Sequence, residues 1–86
     1  MRGRKPRPIT INAADLPVLR WISESRTLPE YQIVRARVVL AVAAGDRIQE
    51  VAARVDCDEA TIWRTCRRYE GSGLSGLLAD GRRSAS

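Results

Sequence analysis

The sequence predicts a small all-α domain built from four main helices. The chain has 86 residues, which is the size of one domain. Hydrophobic residues make up 44% of it, but aromatic residues only 5%, and phenylalanine is missing, so the core must be aliphatic. Apolar residues recur at helical spacing, and no stretch shows the alternation expected of a strand.

The first helix is expected over about 13–25. Its apolar stripe consists of Leu16, Leu19 and Ile22. Asn12 can cap it, but Pro17 lacks a backbone donor. The helix therefore either begins later, capped by Asp15, or has an irregular first turn. Trp21 is expected in the core or at its rim.

The second helix is expected from Pro29 to about Ala44, with Gly45 as the residue that ends it. Its apolar stripe is Tyr31, Val34, Val38 and Ala41, widened by Ile33, Leu40 and Ala44. The run 38–44 has no polar residue, which predicts that this helix lies at the centre of the bundle.

The segment 48–70 matches the requirements of a helix-turn-helix, in which two short helices cross steeply about a tight turn. Ala52 is the small residue where the helices approach, and Asp56 stands at the turn, where a left-handed backbone is needed. The inner-face residues are Val51, Val55 and Ile62, with Cys57 after the turn. The second helix is expected from Glu59 to Glu70, ended by Gly71 and Gly73, and a tail anchored by Leu74, Leu77 and Leu78 follows.

We divide the chain into a flexible basic arm at 1–8, a homeodomain-like helix-turn-helix domain at 9–78 and a basic tail at 79–86. The formal net charge is +5, and an excess of cations on a small domain favours a polyanionic partner. Lys5 is the only lysine, so a general bias towards arginine would also explain the charge.

The outward face of the second helix of this motif is the candidate DNA-binding surface. A helix in the major groove presents its N-terminal residues to base edges. The candidate residues are Asp58, Glu59, Ala60, Thr61, Trp63, Arg64, Arg67 and Arg68. Arg64 is the best candidate to read guanine, and Glu59 could accept from cytosine. Arg67 and Arg68 suit phosphates, although an exposed solvated face is the alternative.

Trp63 and the basic arm at 1–8 each have a second interpretation. Trp63 either projects towards DNA or packs against the edge of the core, and packing is slightly favoured. The arm places Arg2, Arg4, Lys5 and Arg7 in eight residues with no acid, which suits a narrow minor groove. The Arg-Gly-Arg core of an AT-hook stands at 2–4, but Lys5 occupies the position of its proline. A solubilising tail is the equal alternative.

The chain resembles the N-terminal DNA-binding region of mariner-like bacterial insertion-sequence transposases. The resemblance rests on RGRKPRPI at 2–9, RTLP at 26–29 and RARVVLAVAAG at 35–45, followed by the helix-turn-helix and the tail GSGLSGLLADGRR at 71–83. It implies recognition of terminal inverted repeats. Two residues depart from the family pattern: Thr65 stands where the family usually has Trp, and Asp56 where it has Gly.

In such transposases a separate RNase-H-like domain with three acids and two metals cuts DNA, and we expect none of it in these residues. The acids lie at caps and on helix faces, so no catalytic activity is assigned. Cys57 and Cys66, without any histidine, match no zinc spacing and suggest buried free thiols. We therefore expect no metal and no cofactor.

Free thiols suit a reducing cytoplasm, and no apolar run approaches the roughly 20 residues of a membrane span. The expected partner is double-stranded DNA, bound in the nucleoid. Two alternatives remain: a transcriptional repressor acting as a homodimer, and a module that binds or inhibits another protein. We expect a dimer to favour the first, and an absence of DNA binding at low salt to favour the second.

Overall fold

The computed structural model describes residues 9–79, and both the basic arm at 1–8 and residues 80–86 of the tail lie outside this range. Within it run four helices and no strand: α1 (Leu16–Ser23), α2 (Glu30–Ala43), α3 (Ile48–Val55) and α4 (Glu59–Leu78). The predicted all-α fold is confirmed. None of these helices combines the length and apolarity needed to span a membrane.

Helix α1 begins at Leu16, which is the later of the two predicted starts. The Asn12 side chain accepts a hydrogen bond from the Ala14 amide at 3.0 Å and closes a turn before the helix. Pro17 then falls in the first turn, where its missing donor costs nothing. Asp15 flanks the helix, but its carboxylate makes no capping bond.

Trp21 belongs neither to the core nor to the partly buried residues packed against it, so the prediction that placed it in the core or at its rim was wrong. Its side chain is 64% exposed. Helix α1 packs on α2 alone and buries Leu19 and Ile22, which lie three residues apart on one face. Trp21 is two residues from Leu19, roughly 200° around the helix, and therefore faces away from that contact.

Helix α2 is the centre of the bundle, as predicted, because it packs against all three other helices. Its fully buried residues are Ala36, Val38, Val39 and Val42. Of the predicted apolar residues only Val38 is among them; Ala44 is exposed, and the others are half-buried. A helix contacted on several sides has no single apolar face, so periodicity alone could not locate the deepest one.

Helix α4 continues past the predicted stop. Gly71 does not end it, and the chain bends instead at Gly73, whose backbone is non-helical at φ 70° and ψ −162° before the helix resumes. The bend returns the last turn to the core, where Leu77 is fully buried and Leu74 and Leu78 are partly buried. The predicted leucine anchor is therefore confirmed, but it is helical.

Three side chains of α2 hold this last turn by its carbonyl oxygens. Arg35 donates from Nη1 to the carbonyl oxygens of Leu77 at 2.9 Å and Ala79 at 2.7 Å. Gln32 donates to the carbonyl of Leu78 at 3.1 Å, and the Tyr31 hydroxyl donates to it at 3.4 Å. Carbonyl groups at the end of a helix have no partner within it, so these bonds replace a cap.

A second long-range link joins α4 to the segment before α1. The Tyr69 hydroxyl donates to Asp15 Oδ2 at 2.8 Å and accepts from the Asn12 amide at 3.1 Å. Burial raises the pKa of the Tyr69 phenol, so the hydroxyl keeps its proton. Ile9 is buried in the same core. The segment that leads into α1 is thereby attached to α4.

We predict that Gly73→Ala destabilises the protein by about 1–3 kcal/mol, because only glycine adopts this backbone conformation without strain. The strain is purely conformational, since a Cβ at Gly73 would meet no atom within 4 Å. Gly71→Ala is the matched control, because Gly71 is helical and also has open space around it. Urea unfolding measures both variants. Equal stability of the two would contradict the bend.

We predict that Tyr69→Phe lowers the free energy of unfolding by about 1–3 kcal/mol, because two hydrogen bonds are lost in a part-buried position. Tyr31→Phe removes one long hydrogen bond and should cost less. Chemical denaturation of the two variants in parallel makes the comparison. A smaller loss for Tyr69→Phe than for Tyr31→Phe would show that the link to Asp15 contributes little.

Candidate nucleic-acid interface

The turn between α3 and α4 has the left-handed residue that the sequence predicts. Asp56 adopts φ 60° and ψ 46°. The amide of the next residue, Cys57, donates to the carbonyl of Ala52 at 2.9 Å, which is the bond that closes a Schellman motif. Ala52 is buried between the helices, as expected. Cys57 lies in the turn and is half-buried, so the prediction of buried free thiols holds in full only for Cys66.

One face of α4 is buried and the opposite face is exposed. The buried residues of its first three turns are Ile62, Thr65, Cys66 and Tyr69, in which Thr65 and Cys66 are adjacent and each follows Ile62 by three or four residues and precedes Tyr69 by four or three. The exposed residues of the same turns are Glu59, Ala60, Trp63, Arg64, Arg67 and Arg68. Because the inner face packs against α2 and α3, the predicted surface points away from the bundle.

Asp58 caps the N-terminus of α4. Its Oδ1 accepts a hydrogen bond from the Thr61 amide at 2.9 Å. The side chain of Thr61 is the main reason why the pKa of Asp58 lies below its ordinary value, and the Thr61 amide and the nearby charge of Arg64 act in the same direction. The structure thus gives Asp58 the role of an N-cap, and its contact with DNA stays a prediction.

Within residues 9–79 no carboxylate forms an ion pair with the arginines of this face. Arg64 donates from Nη2 to Thr61 Oγ1 at 3.3 Å, which is a contact with a neutral hydroxyl. Between residues 9 and 79 the structure has one ion pair, Arg54 with Asp46 at 3.1 Å, and it lies between the end of α2 and α3. Arg64, Arg67 and Arg68 therefore present their charge to solvent along one stripe.

A family model described as a homeodomain-like domain matches residues 32–78, which is more than half of the chain. The chain belongs to this family. Comparison with curated proteins gave no match, and comparison with solved structures gave none either. A homeodomain-like helix-turn-helix suggests DNA binding, and the predicted motif at 48–70 lies inside the matched range.

In this homeodomain-like domain Trp63 stands on the exposed face, with 40% of its surface accessible. It lies one residue before Arg64 and four before Arg67, so it borders the arginine stripe. The slightly favoured prediction that Trp63 packs against the edge of the core is thus only partly met, because its ring also borders the surface on which a duplex would lie. Thr61 is half-buried at the N-terminal edge of the same face.

Thr65 is buried in α4 without an unsatisfied polar group. Its hydroxyl donates to the carbonyl of Thr61 at 2.8 Å. Every buried side-chain polar atom among residues 9–79 has a partner.

Burial and the charge of Glu70 raise the pKa of the Cys66 thiol to about 11, so this cysteine stays protonated and unreactive.

The remaining predicted DNA contacts, Arg2, Arg4, Lys5 and Arg7, lie outside the described residues. Sequence reasoning missed the links that hold the interface in place, namely Tyr69 with Asp15 and Arg35 with the last turn of α4. The partners of these links are 54 and 42 residues apart in the chain. No local pattern could have paired them.

We predict that Asp58→Ala lowers the midpoint of thermal unfolding at neutral pH, while Asp58→Asn, which still caps, lowers it less. Because folding lowers the pKa of Asp58 from its ordinary 3.8, the carboxylate stabilises the protein above that pH. This contribution is lost as the pH falls through the lower, folded pKa. Circular dichroism melts at pH 7 and near pH 2 check this. A gap between wild type and Asp58→Asn that persists at the lower pH would contradict it.

Proposed function

We propose that this homeodomain-like domain binds double-stranded DNA sequence-specifically, with α4 in the major groove. The observation that carries the proposal is the exposed arginine stripe of α4, whose arginines form no ion pair with a carboxylate within 9–79. Exposed cations on one face of a helix are the electrostatic footprint of a duplex-binding surface. The bundle behind them holds the helix still.

The order of residues along α4 suggests a division of roles. Arg64 is closest to the N-terminal end, which enters deepest in a helix-turn-helix complex, and its two-pronged donor set matches guanine O6 and N7. Arg67 and Arg68 lie one turn further along and suit phosphates on the groove wall. Glu59 could accept from a cytosine amino group.

We further propose that the natural site is the terminal inverted repeat of an insertion element, bound as the N-terminal region of a transposase or as a stand-alone relative. Only the sequence resemblance supports this finer assignment. In this proposal the domain acts in the cytoplasm on nucleoid DNA, performs no strand cutting itself, and uses its basic arm in an adjacent minor groove.

The test begins with selection of bound duplexes from a random pool by the full chain. We expect one motif to emerge. Arg64→Ala should reduce the ratio of affinities for that motif and for a scrambled duplex by about tenfold, because a bidentate contact contributes about 1–3 kcal/mol of discrimination. Arg68→Ala should weaken both duplexes about equally and reduce the salt slope of log K by about 0.9.

Arg26→Ala is the matched control, since it removes the same charge from an exposed residue in the α1–α2 linker. It should change neither the affinity ratio nor the salt slope. No duplex binding at low salt would overturn the proposal in favour of a protein-binding module. An unchanged affinity ratio in Arg64→Ala would overturn the role of α4 in recognition.

A further inference from the structure

The Arg64 side chain is held in one direction rather than extended freely into solvent. Its guanidinium reaches back by one turn to the Thr61 hydroxyl, with 3.3 Å between Nη2 and Oγ1. The carboxylate of Asp58 lies at the same end of α4, close enough for its charge to interact with Arg64. The guanidinium therefore sits over the N-terminal turn of the helix.

Two hydrogen bonds of its backbone hold Thr61, whose hydroxyl accepts the bond from Arg64, in place. Its amide donates to Asp58 Oδ1 at 2.9 Å, and its carbonyl accepts from the Thr65 hydroxyl at 2.8 Å. A β-branched side chain has few rotamers in a helix, so a fixed backbone also limits where the oxygen can lie. The acceptor for Arg64 thus has a defined position.

We infer that Thr61 is a positioning residue, whose hydroxyl holds the Arg64 guanidinium over the N-terminal turn of α4 and thereby increases discrimination between base pairs. The inference rests on the proposed function and deepens it, because it assigns the selectivity of this surface to a pair of residues. It also changes the expected role of Thr61 from direct DNA contact to action through Arg64.

The physical reason is conformational entropy. A free arginine side chain has many rotamers, and each must be given up when the fork aligns with a base edge. A guanidinium that is already aligned loses less on binding. The same bond uses only one of five N–H donors, which leaves the rest of the fork available for the base.

Thr61→Val and Thr61→Ser provide the test. Valine has the same shape without the hydroxyl, and serine restores the hydroxyl. Neither change touches the two backbone bonds of residue 61. With the duplex selected by the wild-type chain and its scrambled counterpart, Thr61→Val should lower the affinity ratio about threefold to tenfold, as expected for one hydrogen bond. Thr61→Ser should retain most of the ratio.

A double-mutant cycle distinguishes positioning from direct contact. If Thr61 acts through Arg64, Thr61→Val has no further effect on the ratio in the Arg64→Ala background. An equal loss in both backgrounds would mean that Thr61 touches DNA itself, and would overturn the inference. No loss in Thr61→Val alone would also overturn it. Thr27→Val, an exposed threonine in the α1–α2 linker, is the matched control.

The outcome separates this inference from the function on which it depends. If Arg64→Ala lowers the ratio and Thr61→Val does not, the proposed function stands and the positioning role falls. If the wild-type chain shows no preference among duplexes, both fall together. Thermal melts of each variant, expected to agree with wild type within a few degrees, confirm that the ratio reports recognition and not unfolding.

Discussion

The exposed arginine stripe of α4 depends on one contact, which is the burial of the opposite face of this helix against the rest of the bundle. Ile62 and Cys66 are almost fully inaccessible, and Tyr69 is nearly so. Because these residues follow one another at helical spacing, their burial sets the rotation of α4 about its axis. Every exposed side chain, including the arginines, takes its direction from that rotation.

A domain this small buries limited apolar surface, and its segments therefore need other attachments. Polar side chains supply them at both ends of the described chain. Tyr69 holds the segment before α1, and Arg35 with its neighbours holds the turn after Gly73. Both links attach the ends of the described chain to core helices by hydrogen bonds, so these ends add stability without burying more apolar surface.

The N-terminal end of α4 combines two tasks in a few residues. Asp58 satisfies a free amide of the first turn, and the same carboxylate contributes to the electrostatic environment of Arg64. Thr61 joins the two through its amide and its hydroxyl. The capping carboxylate of Asp58 thus lies near the guanidinium of Arg64, the side chain that we propose reads a base.

The sequence alone determined the four helices, the left-handed turn at Asp56 and the identity of the exposed arginines, because periodicity, caps and turn chemistry are local properties. It did not predict the exposure of Trp21, the deepest face of α2 or the helical return after Gly73. These depend on which helices touch, and contact between distant segments leaves no local pattern. Only the tertiary structure could decide that α1 packs against one helix and α2 against three. It also decided that Arg35 lies close enough to the end of α4 to bind the carbonyl oxygens there.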